Sequence, residues 1–508
     1  MPAVPASYVE LCRLMRESAQ LGAVASLVSW DQETYMPHAA AAGRAEQSSL
    51  LAGIIHERRT SKKVGELIAS CEDDDALMRP GSETAANIRE IRRDYDRATK
   101  LPCELVAELA LVGSQSQEVW KHAREKSDFS RFAPWLEKMF ALSRKKAECY
   151  GVPDGGELYD ALLDEYEPSA TAKMIEATFT PLRASLTDLL KNVAENGKAP
   201  SEKPLKAKIP ADKQHAFGQF VLGKIGFDLN GGRLDVTTHP FCSGMGPGDV
   251  RLTTRYRDEK FTDALYGTLH EMGHGLYEQG LPKDDHFGEP LAGDISLGIH
   301  ESQSRMWENF VGRGKPFWKW ALPHAKKYLG KDIAKFTVKE YYNAVNTAKP
   351  SLIRVEADEA TYNMHVMIRF EIERGLLSGN IKVKDLPGEW NRRYKEYLGI
   401  DVPDDRRGCL QDVHWSFGLI GYFPTYTLGN LYSAQFWEKI NQDIPDLEKQ
   451  IAKGKFADLK GWLNEKIHKH GRRYRAAELC KRITGAELSA QPLLRHLTSK
   501  AKAVYGIK

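Results

Sequence analysis

The stretch LYGTLHEMGHGLYEQG, residues 265–280, shows what kind of helix this chain builds. At about 100° per residue on an α-helix, His270, His274 and Glu271 fall within about 100° of one another. A second group lies between about 200° and 260° on the same wheel, and it comprises Leu265, Leu269, Met272 and Leu276. The pattern predicts a helix with one apolar packing face. The opposite face carries two imidazoles and a carboxyl group, which packing alone does not require.

Most of the remaining chain has helical character. Segments that mix Ala, Leu, Lys, Glu and Arg at helical spacing predict helices at residues 7–18, 41–59, 84–99, 103–125, 132–148, 170–196 and 211–225. Residues 234–255, LDVTTHPFCSGMGPGDVRLTTR, differ because β-branched residues alternate there between glycine-rich turns, which predicts short strands. The predicted fold class is all-α, mainly helical, with a small β-sheet immediately before the 265–280 helix.

The length of 508 residues exceeds that of a usual domain. We predict a single large helical unit, residues 1–508, either undivided or folded as two lobes around a cleft. Residues 195–213 contain three prolines and five lysines, so they are predicted to form an exposed connector. A plain surface loop is the alternative.

Charge and cysteine content indicate the class of protein. Lys+Arg number 72 against 69 Asp+Glu, and this balance argues against a nucleic-acid or anionic-membrane partner. The seven cysteines are scattered, with no CxxC pair, which favours a reducing compartment over a disulfide framework. The first residues lack the pattern of a secretory signal, and no run is long enough to span a bilayer. We therefore expect a cytoplasmic protein.

The HEMGH motif, residues 270–274, has the spacing of a metal-binding helix. Two histidines four residues apart lie one turn apart on one face, so their ring nitrogens can converge on one ion at about 2.0–2.1 Å. Glu271 is placed to act as a general base on a metal-bound water, whose pKa falls toward about 7. The alternative, a pair of ordinary surface or core histidines, is disfavoured by the motif's place on the polar face of an amphipathic helix.

A zinc site of this kind needs a third protein ligand. A histidine six residues after the second is excluded, because that position is Gly280. The remaining candidates are acids further along the chain, and they are Glu278, Glu289, Asp294, Glu301 and Glu308. Glu301 is preferred, since on the predicted helix LGIHESQSRMWENF it lies about 140–180° from the apolar residues. His300 is rejected as a ligand because it points about 100° away from Glu301.

Further blocks along the chain have the form, order and approximate spacing of the motifs of a known family. They are WDQETYMP (30–37), RAEQ (44–47), HPF (239–241), DVRLT (249–253), HESQS (300–304), IRVEAD (353–358), GCLQDVHW (408–415) and GYFPTYTLGN (421–430). Together with HEMGH, they make the sequence resemble the carboxypeptidase Taq family of metallocarboxypeptidases almost from end to end.

The resemblance implies properties that spacing alone does not give. The family fold is almost entirely helical, with a small sheet beside a deep cleft, and it is similar to the two-lobed peptidases of the neurolysin and angiotensin-converting-enzyme group. Members are usually homodimers that bind zinc or cobalt and remove single residues from peptide C-termini. The glutamate of the HES block is the family's third ligand, which agrees with the choice of Glu301.

The expected cofactor is therefore one zinc or cobalt ion per chain, on His270, His274 and Glu301. The expected partner is a peptide with a free C-terminal carboxylate. An arginine should hold that carboxylate, because a guanidinium matches two oxygens. By resemblance Arg354 is favoured, with Arg251 second.

Each arginine has an alternative interpretation as a structural ion pair, with an acid such as Asp358 or Asp249. Tyr426 is favoured as the donor to the developing oxyanion. The other available donors that could contact the substrate are Tyr422, His239 and His414. For each of these rings, packing against the core with its polar atom satisfied is the alternative.

The sequence leaves two questions open: which groups contact the outer nitrogens of the histidines, and what residues 30–37 do. The outer nitrogens of metal-bound histidines usually donate to a carboxylate or a carbonyl, and Asp358 or Asp294 could accept. Residues 30–37 could hold a lobe that closes over the cleft, but a buried helix junction is the preferred interpretation.

We predict a metal-dependent carboxypeptidase with Glu271 as its base. An endopeptidase or dipeptidyl carboxypeptidase on the same fold is the first alternative, and it would still cleave peptides with a capped C-terminus. A peptide-binding protein with a structural metal is the second alternative. Glu271 and the absence of cysteine near the motif argue against it.

Overall fold

The computed structural model describes residues 5–508, which fold mainly into α-helices. Within these residues the α-helices are Ala6–Thr34 (α1), Ala41–Arg59 (α2), Lys62–Glu72 (α3), Glu83–Lys100 (α4), Cys103–Lys126 (α5), Phe129–Tyr150 (α6), Leu158–Leu163 (α7), Ala172–Asn196 (α8), Ala211–Ile225 (α9), Phe261–Gly280 (α10), Lys283–His286 (α11), Leu297–Arg305 (α12), Lys315–Leu329 (α13), Val338–Val345 (α14), Tyr362–Ser378 (α15), Leu386–Leu398 (α16), Pro424–Asp443 (α17), Leu447–Ile451 (α18), Ala457–Lys466 (α19), Ala476–Thr484 (α20) and Gln491–Tyr505 (α21). The predicted helical segments fall on these helices, although the segment 170–196 begins two residues before α8. Helix α12 continues into a π-helical turn, Met306–Gly312.

Three short strands form the sheet predicted for residues 234–255. They are Gly232–Val236 (β1), Cys242–Gly246 (β2) and Asp249–Thr254 (β3). The order is β1-β3-β2, with β1 parallel and β2 antiparallel to β3. Side chains alternate between the two faces of a strand. Leu252 faces α10, where a Cβ on Gly275 would lie 2.7 Å from its Cδ2, so Arg251 faces the opposite side.

The face of the sheet opposite α10 holds the C-terminal end of α1. Trp30 is buried there, and its ring lies 4.4 Å from the guanidinium carbon of Arg251. Asp31 accepts a hydrogen bond of 2.7 Å from Arg44 on α2, which ties the two N-terminal helices together. Residues 30–37 thus lie at a helix–sheet junction.

The helices that carry the candidate site cross at two glycines. A Cβ on Gly273 of α10 would lie 2.5 Å from the carbonyl oxygen of Gln303 on α12. A Cβ on Gly429 of α17 would lie 2.7 Å from the Cβ of Glu301. Because neither position has room for a side chain, α12 is held close to both neighbours, and Glu301 lies between them.

The main hydrophobic cluster joins side chains from residues 123 to 497, and a smaller one lies between α1, α3 and α4. The predicted class, all-α with a small sheet, is therefore confirmed.

A cavity of about 720 Å³ lies between α1, α4 and β2. Residues 195–213 are mostly exposed, although Pro204 and Ile209 are buried, and the division into lobes stays a prediction. In residues 5–508, no helix is both long enough and apolar enough to cross a membrane.

Candidate metal centre and active site

Three side chains from α10 and α12 converge on one point. The Nε2 atoms of His270 and His274 lie 3.7 Å and 3.5 Å from the same oxygen, Oε2 of Glu301. The three potential ligand atoms all lie within 4.8 Å of one another. Atoms that bind one zinc-sized ion tetrahedrally at about 2.1 Å lie about 3.4 Å apart. The structure therefore brings together the three predicted ligands, and their donor set fits one small divalent ion.

The apolar face of helix α10 is packed in the core, and this packing directs the two histidines on the other face toward the candidate metal site. The four residues of the predicted apolar stripe have exposed fractions of 4% or less, and they are Leu265, Leu269, Met272 and Leu276. Burial also lowers the pKa of His274 to about 3. A neutral imidazole is the form that binds a metal.

The outer nitrogens of the two histidines have different partners. Nδ1 of His270 lies 3.0 Å from Oε2 of Glu308, in the π-helical turn. Nδ1 of His274 is hydrogen-bonded to Nδ1 of His300, and the other nitrogen of His300 lies 3.1 Å from Oε1 of Glu278. The structure therefore assigns Glu308, His300 and Glu278 to positions behind the ligands.

The sequence-based candidates for these outer positions, Asp358 and Asp294, were wrong. Asp358 accepts from the Thr361 hydroxyl at 2.6 Å and from the Lys349 amide at 2.9 Å instead. A signal for Glu308 was present, since it follows Glu301 by seven residues, close to two helical turns. No comparable signal shows that His300 of one helix contacts His274 of another.

Glu301 is oriented by its own helix. Its Oε1 accepts a hydrogen bond of 2.6 Å from Nε of Arg305, and its Oε2 accepts one of 3.2 Å from the Ser304 hydroxyl. Burial alone would raise the pKa of this carboxyl group, but Arg305 and the two imidazoles hold it well below its ordinary value. Glu301 is therefore ionised, with Oε2 turned toward the histidines.

Glu271 is buried next to the first ligand, with an exposed fraction of 6%. Burial raises its pKa to about 7, and the charge of Glu301 acts in the same direction, while His270 opposes the shift. A carboxyl group with a pKa near 7 can both take up and release a proton near neutral pH.

The predicted carboxylate anchor, Arg354, is buried in a network of charges. Its Nε and Nη2 donate to Oδ1 of Asp412 at 3.1 Å and 2.9 Å, and its Nη1 donates to the Tyr362 hydroxyl at 2.9 Å. Asp412 also pairs with Arg369 at 2.6 Å. The ion-pair partner suggested from sequence, Asp358, was therefore wrong. Two buried guanidinium groups share one carboxylate instead.

This arrangement places two buried guanidinium groups around one carboxylate. Burial alone would raise the pKa of Asp412, but Arg354 and Arg369 hold it well below its ordinary value, so Asp412 is ionised. A third arginine, Arg305, joins the network to the candidate ligand Glu301, and its guanidinium carbon lies 4.5 Å from the centre of the Tyr362 ring.

Tyr426 and His414 lie around the same arginine. The Tyr426 ring lies 5.1 Å from the guanidinium carbon of Arg354 and 5.4 Å from the Tyr422 ring. Since Tyr426 precedes Gly429 by three residues on α17, both lie on the side of that helix that faces Glu301. The His414 ring lies 5.5 Å from the Tyr422 ring. Burial and Arg354 lower the pKa of His414 to about 4.

The other two predicted substrate contacts lie elsewhere. Arg251 makes two hydrogen bonds of 2.9 Å to Asp249, the ion pair that the sequence analysis gave as its alternative. It lies on the face of the sheet opposite α10. His239 is exposed in the connection between β1 and β2. The structure does not bring these two side chains together with the metal-site group.

Comparison with known proteins agrees with this geometry. A profile of the carboxypeptidase Taq (M32) metallopeptidase family matches residues 10–501. The chain is 43% identical to thermostable carboxypeptidase 1 of Thermus thermophilus over 99% of both chains, and 37% identical to carboxypeptidase 1 of Bacillus subtilis over 98% of both. Its fold is similar to the crystal structure of M32 carboxypeptidase from Deinococcus radiodurans R1, with a TM-score of 0.95, 41% identity and coverage of 99% of this chain and 100% of that one. The chain belongs to the carboxypeptidase Taq (M32) family of metallopeptidases, and it is a metallocarboxypeptidase.

Proposed function

We propose that this enzyme removes single residues from peptide C-termini, with His270, His274 and Glu301 holding one zinc or cobalt ion. The observation that carries the proposal is the buried pair Arg354 and Arg369, which share the single carboxylate of Asp412 near these ligands. A buried charge is costly unless it is paired. The terminal carboxylate of a peptide would be a second anionic partner for Arg354.

Arg354 has donors left for that carboxylate. A guanidinium has five N–H groups, and the hydrogen bonds to Asp412 and Tyr362 use three of them. One N–H group on each terminal nitrogen remains. By contrast, Arg251 forms a one-to-one pair with Asp249 and faces away from α10, so we propose that it docks α1 on the sheet.

The remaining side chains have roles in proton transfer and charge stabilisation. When bound, the ion polarises the scissile carbonyl and makes water more acidic. Glu271 takes the proton from the attacking water and passes it to the leaving amine. Tyr426 donates a hydrogen bond to the carbonyl oxygen as negative charge builds there. His414, whose Nδ1 lies 4.0 Å from Oδ1 of Asp412, contacts the substrate beside Arg354, while a substrate contact for His239 stays a prediction.

The proposal extends to assembly and location. The free state of all seven cysteines supports a reducing compartment, and we propose the cytoplasm. The family resemblance supports a homodimer. Light scattering of the purified enzyme tests the dimer directly.

The decisive experiment is mass spectrometry of the products from one unblocked peptide and from the same peptide with an amidated C-terminus. We expect single-residue shortening of the free peptide, loss of activity with a chelator, and recovery with Zn²⁺ or Co²⁺. The amidated peptide should lose most of its rate, because it brings no charge to Arg354.

Two other outcomes would identify the alternatives. Internal cleavage of the amidated peptide at the same rate would indicate an endopeptidase. Unfolding on metal removal, without any peptidase activity beforehand, would indicate a structural metal in a peptide-binding protein.

A further inference from the structure

His300 lies beside the candidate metal site but is not one of its three proposed ligands. It is adjacent to the ligand Glu301 in sequence, yet its ring reaches across to α10. There its Nδ1 is hydrogen-bonded to Nδ1 of His274, and its Nε2 lies 3.1 Å from Oε1 of Glu278. The second oxygen of Glu278 contacts Nζ of Lys283. A row of polar groups therefore runs from the metal-facing imidazole to the wall of the 720 Å³ cavity, where Glu278 and Lys283 lie.

The positions of protons along this row follow from its two ends. A carboxylate only accepts hydrogen bonds, so the nitrogen of His300 that faces Glu278 must carry a proton. At the other end, Nε2 of His274 can bind an ion only through its lone pair, so the proton of that ring is on Nδ1. Nδ1 of His274 then donates to Nδ1 of His300, which can accept only in the neutral imidazole whose one proton is on Nε2.

We propose that Glu278 and His300 set the tautomer of His274, and thereby determine how tightly its Nε2 binds the ion. His300 is thus a positioning residue that acts through the ligand. It does for His274 what the carboxylate of Glu308 does for His270, where the contact is direct at 3.0 Å.

The residues around Glu278 leave space for its carboxylate and balance its charge. On β2, a Cβ on Gly244 would lie 2.1 Å from Oε2 of Glu278 and 3.0 Å from Nζ of Lys283. A side chain at residue 244 would therefore have to displace this ion pair. Lys283 balances the charge of Glu278, which keeps the acceptor ionised at the end of the row.

A purely structural role for His300 is the competing explanation, because its ring also packs on Tyr277 with 5.2 Å between ring centres. The substitutions His300→Leu and His300→Asn separate the two. Leucine fills the space and has no acceptor. Asparagine places an amide oxygen near the position of Nδ1, so it can still accept the proton of His274.

The experiment measures the affinity of the apoenzyme for Zn²⁺ in competition with a chelator, and the visible spectrum of the Co²⁺-loaded protein. We expect His300→Leu to weaken Zn²⁺ binding about 10–100-fold with an altered Co²⁺ spectrum, and His300→Asn to stay within about threefold of wild type. His286→Leu is the matched control, since His286 also pairs with a glutamate, Glu289, at 2.9 Å.

Two results overturn the proposal: His300→Leu binds as tightly as wild type, or His300→Asn loses as much affinity as His300→Leu. If His300→Leu does not fold, Glu278→Ala replaces it. Weaker binding in Glu278→Ala supports the proposal and unchanged binding overturns it.

The inference depends on the proposed metal site, so His274→Ala is measured in parallel. Undiminished binding in His274→Ala would show that the metal site itself is wrong. Loss in His274→Ala, combined with wild-type affinity in His300→Leu, would reject only the role of His300.

Discussion

The two halves of the candidate site are built in different ways. The metal-facing half takes its side chains from regular helices, α10 and α12, at helical spacing. The half that is proposed to bind the substrate carboxylate is assembled from a short 3-10 turn at Arg354 and from Asp412 in an irregular segment, with Arg369 on α15. Periodicity orients the first half, whereas shared charges between distant segments orient the second.

The two halves therefore keep their geometry through different contacts. The ligands keep their geometry because glycines let three helices pack closely around Glu301. Arg354 keeps its orientation because an acid 58 positions away holds one side of its guanidinium group. Substitutions in the two halves should therefore have distinct kinetic signatures.

The largest effect is expected in the metal-facing half. Glu271→Gln should lower kcat by about 10²–10⁴-fold, because the attacking water loses its base. Metal content, measured by elemental analysis, should stay at the wild-type level, since Glu271 lies outside the proposed ligand set. Near-normal turnover in this variant would remove the role assigned to Glu271.

The corresponding change in the other half is Arg354→Met. It should cost about 2–5 kcal/mol of transition-state stabilisation, which lowers kcat/KM for an unblocked peptide by about 30-fold to 5000-fold. Asp412 remains paired with Arg369 at 2.6 Å, so we expect the protein to fold.

Steady-state kinetics with free and amidated peptides provides the control for Arg354. If Arg354 binds the terminal carboxylate, the variant should have similar kcat/KM values for the two peptides. A variant that still prefers the free peptide as strongly as wild type would show that another group binds the carboxylate.

A smaller effect is expected where the two halves meet. Tyr426→Phe should lower kcat about 10²-fold and leave KM little changed, because the hydroxyl is needed only as charge develops on the oxygen. Tyr422→Phe is the matched variant on the neighbouring ring. Equal losses in both variants would refute the preference for Tyr426.

The smallest effect on catalysis is expected outside both halves. Arg251→Met should leave kcat/KM within about twofold of wild type but destabilise the junction with Trp30 by about 1 kcal/mol, mainly through the lost cation–π contact. The midpoint of thermal unfolding measures the second effect. A loss of activity comparable to that of Arg354→Met would show that Arg251 contacts the substrate after all.

The sequence predicted the helical half of the site far better than the other half. The wheel for residues 265–280 separated the buried stripe from the histidines, and the same reasoning distinguished Glu301 from four other acids. Such predictions need only the geometry of one helix. The partners Asp412, Glu308 and Glu278 depend on which segments meet in space, and a single helix wheel does not contain that information.

The N-terminal block teaches the same lesson. Trp30 and Arg251 are 221 positions apart, yet they are in contact across the junction of α1 and the sheet. The sequence showed that both blocks match family motifs but did not show that they are in contact. That contact depends on which face of β3 carries Arg251, and this is known only from the structure.

The π-helical turn at Met306–Gly312 has a consequence for chain length. A π-turn closes hydrogen bonds over five residues instead of four, so deleting one residue between Glu301 and Glu308 would let the segment relax into ordinary α-helix. Glu308 would then lie six residues after Glu301, about 120° away from it around an α-helix, and Nδ1 of His270 would be left without its acceptor. A relative shorter by one residue in this segment would need a different acid behind its first histidine.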